Sequence, residues 1–275
     1  MTKYGYGMVV AAQPEAVEAG ASILRNGGNA VDAAIACGLV AGVVDPQMCG
    51  IAGFGNLQVY LPDKGVHQCI DFHAKSPLAT RSDQWADIVV GETRDGFGFV
   101  VEGKVNDLGY QAIATPGSLK AYFEAQTTWG EKDWDEVVAP AVKWAAEGFV
   151  VRPHVAGWWV EGASMGRTDN VERLRYSSTG REIYFGSDGF PKRVGDVVVN
   201  GDLANTLRLI ASEGADVFYK GQLAERIAED VSAHGGLMSD RDLSEYQTTH
   251  NEPIRSAYRG LDVTTNHPPG GGTMV

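Results

Sequence analysis

No stretch of this sequence approaches the ~20 consecutive apolar residues that a bilayer-spanning helix requires, so no membrane-crossing segment is expected. Basic clusters are missing too. The 23 Lys and Arg residues stand against 35 Asp and Glu, giving a formal net charge of -12. Sequence-independent nucleic-acid binding needs cations grouped against phosphate, and that class is excluded. Cysteine is scarce. Cys37, Cys49 and Cys69 lie in apolar contexts and read as reduced core residues, not as a disulfide framework. The six histidines show no His-x-x-x-His spacing and the cysteines no Cys-x-x-Cys, so neither a metal nor an organic cofactor is implied. The start, Met1-Thr-Lys-Tyr, has no apolar signal core, and no Asn-x-Ser/Thr sequon occurs. A cytoplasmic protein is expected.

What is present is the patterning of a mixed α/β layer protein, read as a single domain over residues 1–275. Met8 to Ala12 is a short run of strand type. Pro14 stands at a helix start and Gly27-Gly28 at its end, with Val17, Ala21 and Leu24 at helical spacing. Asn29 predicts the cap of a second helix, with Asp32 in its first turn and Val31, Ala34, Ile35 and Leu39 on its buried face. That helix has so little polar surface that cover on several sides is expected. A glycine-punctuated loop, Val44 to Gly55, leads into a β-hairpin over 56–61 and 66–72, with His73 at its exit. Residues 86–115 read as loop. Helices follow around Leu119 and Val137, and Pro140 is expected to kink or split the second. Residues 150–200 are less regular. Further helices hold Leu207, Ile227 and Leu243, and two strands flank Arg259-Gly260.

Three local patterns invite a catalytic reading and fail it. Gly162-Ala-Ser-Met-Gly166 fits Gly-x-Ser-x-Gly, but a nucleophile elbow needs a buried strand before it, and Gly157-Trp-Trp-Val is a poor one. Thr248-Thr249-His250 offers a hydroxyl beside an imidazole but reads as a surface turn. Gly50, Gly53 and Gly55 do not form a phosphate loop. Asn29 and Asp32 read as cap residues, not catalytic ones. From patterning alone the chain is an acidic α/β protein without a complete catalytic set.

The run "GGNAVDAAIA", with "VAAQPEAVEAGASIL" before it and "VVDPQMCGIAGFGNLQVY" after it, resembles the opening of the gamma-glutamyltransferase family. The likeness continues through "IDFHAKSP", "ATPGSLKAY", "GGLMSDRDLSEY" and "YRGLDVTTNHPPGGGTMV". The resemblance implies an N-terminal-nucleophile hydrolase, a zymogen that cleaves itself into a large and a small part held together in an αββα sandwich. It implies a threonine at the start of the small part. That threonine attacks an amide carbonyl, and water or an acceptor amine resolves the acyl-enzyme, as in glutathione metabolism. On this reading the chain is the large-subunit portion, catalytically inactive alone, with Val275 not a natural end. Its expected partners are its own C-terminal portion and a small-molecule amide, in a homodimer of processed heterodimers. "HPPGGGT" resembles the family's Pro-Pro-Pro-Ser-Ser-Gly-Gly loop. The glycines of 50–55 and 270–272 line the site by backbone approach, or merely permit tight packing.

One departure bears on substrate. The family typically carries Asp-Phe-Arg-Glu after the hairpin, and its arginine grips the carboxylate of the glutamyl group. Here the run is Asp71-Phe72-His73-Ala74, which makes His73 the expected substrate-binding residue. A guanidinium binds a carboxylate bidentately and is always charged, which an imidazole cannot match. The loss is worth ~1.5–3 kcal/mol, roughly 10- to 100-fold in binding. Lys75 and Arg81 are the cations nearest in sequence that could compensate. The alternatives are an acylase or amidohydrolase acting on a non-glutamyl amide, such as a short acyl or dicarboxyl amide, with His73 favouring it, and a non-catalytic interaction protein.

Overall fold

The computed structural model describes residues 6–94, 96, 98–162 and 167–274, without the side chain of Thr273. The first of these run extended into Gln13. The alternation expected of a strand is kept, with Val9 and Ala11 packed on the core and Met8 and Val10 exposed. The run nevertheless pairs with no strand among the described residues. A period of two records one packed face, not a hydrogen-bonded neighbour.

Pro14 opens helix α1 (Pro14–Arg25), where its missing N–H is no loss. Helix α2 (Ala30–Val44) follows and packs on α1, on α3 (Ser118–Trp129) and on α4 (Trp134–Glu147). Its start is closed by a reciprocal box. Asn29 Oδ1 accepts from the backbone N–H of Val31 at 2.9 Å and of Asp32 at 3.1 Å, and Asp32 Oδ2 accepts from Asn29 N at 2.9 Å. The same two side chains reach across the molecule. Asn29 Nδ2 donates to Trp129 O at 2.6 Å, and Asp32 accepts from Glu131 N at 3.0 Å. Val31, Ile35 and Leu39 are buried as expected, whereas Ala34 lies on the exposed strip. Pro140 does not split α4, which runs unbroken through it. The carbonyl it leaves without a partner belongs to Glu136, an exposed residue, where water can satisfy it.

Strands β1 (Asn56–Leu61) and β2 (Val66–Asp71) form the expected hairpin, with Asn56 opposite Asp71. One later segment corrects the sequence reading and another refines it. Residues 86–115 are not simply loop, because β3 (Val89–Glu92) pairs with β4 (Phe99–Val101). All of β3 is exposed, so no apolar alternation marks it. Residues 150–200 hold a two-residue pairing of β5 (Phe149–Val150) with β6 (Val197–Val198). Between them lie three short helices, α5 (Pro153–Val160), α6 (Asn170–Arg175) and α7 (Ser178–Tyr184). Gly157-Trp-Trp-Val is therefore helical, and a helix cannot supply the strand of a nucleophile elbow. The central residues of that motif, 163–166, lie outside the described residues.

Helices α8 (Gly201–Glu213), α9 (Asp216–Tyr219), α10 (Gln222–Ala233) and α11 (Asp240–Ser244) complete the helical side. Apolar residues of α9, α10 and α11 gather with Ile210 and Leu119 into a second cluster that includes Phe218, Tyr219, Leu243 and Tyr246, while Ala204 and Leu207 of α8 join the first. Thr248 to His250, read as a surface turn, is also corrected. Thr249–Asn251 is strand β7, antiparallel to β2, with Asp71 opposite Thr249. This pairing uses main-chain groups of polar residues, which leaves no hydrophobic signature. The last pair, β8 (Ile254–Tyr258) and β9 (Leu261–Thr265), turns at Arg259-Gly260 as expected. Helices and small antiparallel sheets together give the mixed α/β class. No helix among the described residues is long and apolar enough to cross a membrane.

The box at Asn29 makes a direct prediction. Asn29→Ala removes a cap and a bond to Trp129, and is expected to cost about 1–2 kcal/mol, read from the denaturant midpoint at unchanged slope. A midpoint that does not move would mean that α2 is held by its apolar contacts alone.

Candidate functional site

At the exit of β2, Phe72 turns into the core while His73 stays partly exposed. Phe72 and Gly55 exchange backbone bonds, Phe72 N to Gly55 O at 3.0 Å and Gly55 N to Phe72 O at 3.4 Å. This pair extends the hairpin and sets the glycine loop beside His73. Asp71 Oδ1 accepts from the His73 backbone N–H at 2.9 Å and from its Nδ1 at 2.8 Å. Phe54, 65% exposed, stands with its ring centroid 5.8 Å from that of His73.

The glycine loop is tied down at its other end by the start of α3. Gly53 O accepts from the N–H groups of Gly117 at 2.9 Å and Ser118 at 3.1 Å, and Ile51 O from Leu119 at 3.2 Å. Gly117 has no room for a side chain, because a Cβ there would collide with the Tyr246 hydroxyl and come within 2.5 Å of Phe72 O. That hydroxyl donates to His73 O at 2.9 Å. Burial, and then the charge of Asp71, push the Tyr246 phenol up to about 12, which keeps it a donor. Behind it Tyr219 stacks at 5.9 Å and donates to Pro116 O at 3.1 Å. Tyr246 thus links His73 to the corner that holds the glycine loop. Sequence reasoning passed it over. The only signal was its place after the short helix in "SDRDLSEY".

The final glycines reach the same place. A Cβ on Gly270 would lie 2.6 Å from Asn56 Nδ2, and that amide is 3.5 Å from His73 Nδ1. Gln58 Nε2 donates to Thr264 Oγ1 at 3.1 Å, which holds the β8–β9 hairpin against β1. The two glycine loops and His73 are therefore brought together around Asn56. The two cations nearest in sequence to His73 are engaged elsewhere. Lys75 Nζ donates to Gln247 O at 2.8 Å and sits 4.9 Å over the Tyr246 ring, while Arg81 pairs with Asp83.

Other candidate groups stand apart. Thr248 Oγ1 donates to Glu124 at 2.6 Å and His250 Nε2 lies 2.5 Å from the other oxygen, so both side chains fasten β7 to α3. Cys37 and Cys69 are buried as expected, but Cys49 is exposed. Its stretch leaves α2 for the glycine loop, and the apolar neighbours there do not enclose it. Among the described residues no group of three His, Cys, Asp or Glu could hold a metal. Two open clefts of about 650 and 560 Å³ lie against α8, one toward α10 and one toward α4, and neither is lined by His73 or the glycine loops.

Comparison with known proteins supplies the context of this geometry. The family model for gamma-glutamyltranspeptidase matches residues 16–275. A glutathione hydrolase proenzyme of Bacillus subtilis (strain 168) is 35% identical over 266 residues, 97% of this chain and 42% of the relative. An acylase ACY 1 proenzyme of Pseudomonas sp. (strain V22) is 36% identical over 265 residues, 96% of this chain and 45% of the relative. The chain thus spans less than half the length of these curated relatives. Among solved structures, the gamma-glutamyltranspeptidase of Helicobacter pylori superposes with a TM-score of 0.84 at 29% identity, covering 99% of this chain and 73% of that one.

Asp242 provides a pH test of the frame behind His73. Its carboxylate accepts from Ser239 Oγ at 2.6 Å and Ser239 N at 2.8 Å, and from Leu78 N at 2.6 Å, tying the segment after His73 to α11. Burial alone would raise its pKa. The bonds from Ser239 and Leu78, with Arg241 nearby, outweigh burial and hold it below the usual carboxylate range. A lowered folded pKa gives stability that is present above the unfolded value, ~3.9, and is lost as pH falls through the folded value. Asp242→Asn is expected to cost about 2 kcal/mol at neutral pH and to flatten that part of the acid limb of stability. An unchanged acid limb would remove Asp242 from the frame.

Proposed function

Because this chain belongs to the gamma-glutamyltranspeptidase family, we propose that it is the large-subunit portion of an amidohydrolase or acyltransferase that forms a threonine acyl-enzyme. The coverage supports this reading. The chain fills under half of relatives named proenzymes, but 73% of the solved Helicobacter pylori chain. That difference is expected if family members are cut into two chains. The nucleophile and its partner strands then come from the segment that follows, and the chain by itself contributes one wall of the site.

The observation that carries the functional reading is the meeting of the 50–55 loop, His73 and the 270–272 loop around Asn56. In this wall the acyl group of an amide substrate lies against His73. The glycines let main chain approach the substrate closely. The threonine hydroxyl attacks the amide carbonyl, the amine leaves with a proton, and water or a second amine takes the acyl group. Without a guanidinium at position 73, gamma-glutamyl amides such as glutathione are weakly held. A non-glutamyl acyl amide is the favoured alternative, and the equal likeness to a glutathione hydrolase and to an acylase is consistent with either donor.

Two arms test this. The polypeptide 1–275 should hydrolyse no gamma-glutamyl anilide. The full-length protein should cut itself and hydrolyse acyl anilides, and His73→Arg should raise its kcat/KM for the gamma-glutamyl anilide about tenfold or more. Activity in 1–275 would refute the division of labour, and an unchanged gamma-glutamyl rate in the variant would show that the missing guanidinium does not limit specificity.

A further inference from the structure

Resting on the proposed site, we infer that His73 serves the acyl group as a hydrogen-bond acceptor. The acyl group it selects then carries an amide N–H, hydroxyl or ammonium at this position in preference to a carboxylate. Asp71 fixes the tautomer. Its Oδ1 lies 2.8 Å from His73 Nδ1. A carboxylate only accepts, so Nδ1 carries the proton of that bond. In a neutral imidazole the other nitrogen, Nε2, then keeps its lone pair. Nε2 bonds to no group among the described residues, and the side chain remains 24% exposed. The neutral ring therefore presents an acceptor, not a donor, to whatever approaches.

The rest of the residue is fixed around that nitrogen. Asp71 Oδ1 also takes the His73 backbone N–H at 2.9 Å, and Tyr246 donates to the His73 carbonyl at 2.9 Å. Asn56 Nδ2 stands 3.5 Å from Nδ1, on the ring edge already used. Phe54 flanks the ring. Backbone, ring orientation and tautomer are thus set before substrate arrives, as an orienting carboxylate does for any working histidine.

Charge points the same way. With a neutral ring the Asp71–His73 pair carries one negative charge, which disfavours a carboxylate and favours an ammonium or a neutral donor. Lys75 is held at Gln247 O and Arg81 at Asp83, so neither makes a bond at His73 that would reverse the sign. A gamma-glutamyl group bears both an ammonium and a carboxylate and so cannot separate the two effects. A matched pair can.

The test uses the self-processed full-length enzyme and two anilides, that of glutaric acid and that of glutaric monoamide. They differ only in a terminal carboxylate for a terminal amide. At mildly alkaline pH the monoamide is expected to have the higher kcat/KM by about tenfold or more, and His73→Arg to invert the order. Appearance of the two self-processed fragments of the variant by intact mass, with an unchanged denaturant midpoint, confirms that it still folds and processes. A processed enzyme that takes the carboxylate as well as or better than the amide overturns this inference alone, as does a ratio that His73→Arg leaves unchanged. A full-length protein that stays uncut and hydrolyses no anilide refutes the amidohydrolase reading, and this inference with it.

Discussion

A helix with almost no polar surface has to be enclosed, and α2 imposes that requirement on the rest of the chain. It lies against α1, α3 and α4, and its interior positions from Val31 to Val44 are largely buried. Apolar contact alone would leave such a helix free to rotate or slide. Its ends prevent this. Asn29 and Asp32 cap its first turn and bind the main chain of Trp129 and Glu131, so its position along its axis is set by directional bonds. Gly130 makes room for this, since a Cβ there would strike the Asp32 carboxylate. At the other end Asp45, also buried, accepts from Gln13 at 2.6 Å and from Gln47 at 2.7 Å, and Gln47 in turn accepts from Trp159 at 2.8 Å. Buried polar groups that are satisfied in this way rigidify and specify a packing.

The site inherits that placement. The glycine loop leaves α2 at Asp45, and six residues later, at Ile51, its main chain begins to bond the start of α3. Both ends of the loop therefore rest on elements that α2 has positioned. Tyr246 adds the link that α2 cannot make. Its ring belongs to the second apolar cluster, while its hydroxyl holds His73 in place over Gly117. A residue far along the chain thus sets the backbone of the one side chain on which substrate preference is argued to turn.

Much of this was legible in the sequence, and for definite reasons. The capping box wrote itself as Asn29 and Asp32 before an apolar run. The first hairpin was marked by its turn, and the helices by glycines at Gly130, Gly148 and Gly235. The short strands β3 and β7 were not legible, because β3 is exposed throughout and β7 is made of polar residues, so neither carries an apolar alternation. The stretch with the two tryptophans of α5 reads correctly as a poor strand, but its helix was not legible, since Trp159 is buried while Trp158 is 44% exposed. His73 was singled out by its departure from a family pattern, but nothing local to it predicted its bond to Asp71. The role of Tyr246 was not legible, because it depends on a contact across 173 positions of sequence.

The central claim is that this chain binds the acyl group while a following segment attacks it. The most direct measurement is intact-mass analysis of the full-length protein after reaction with an acyl anilide whose acyl-enzyme hydrolyses slowly. The account predicts two fragments, with the added acyl mass only on the shorter one, at its N-terminal threonine. Acyl mass on the fragment that contains His73, or turnover by a chain that remains uncut, would contradict it.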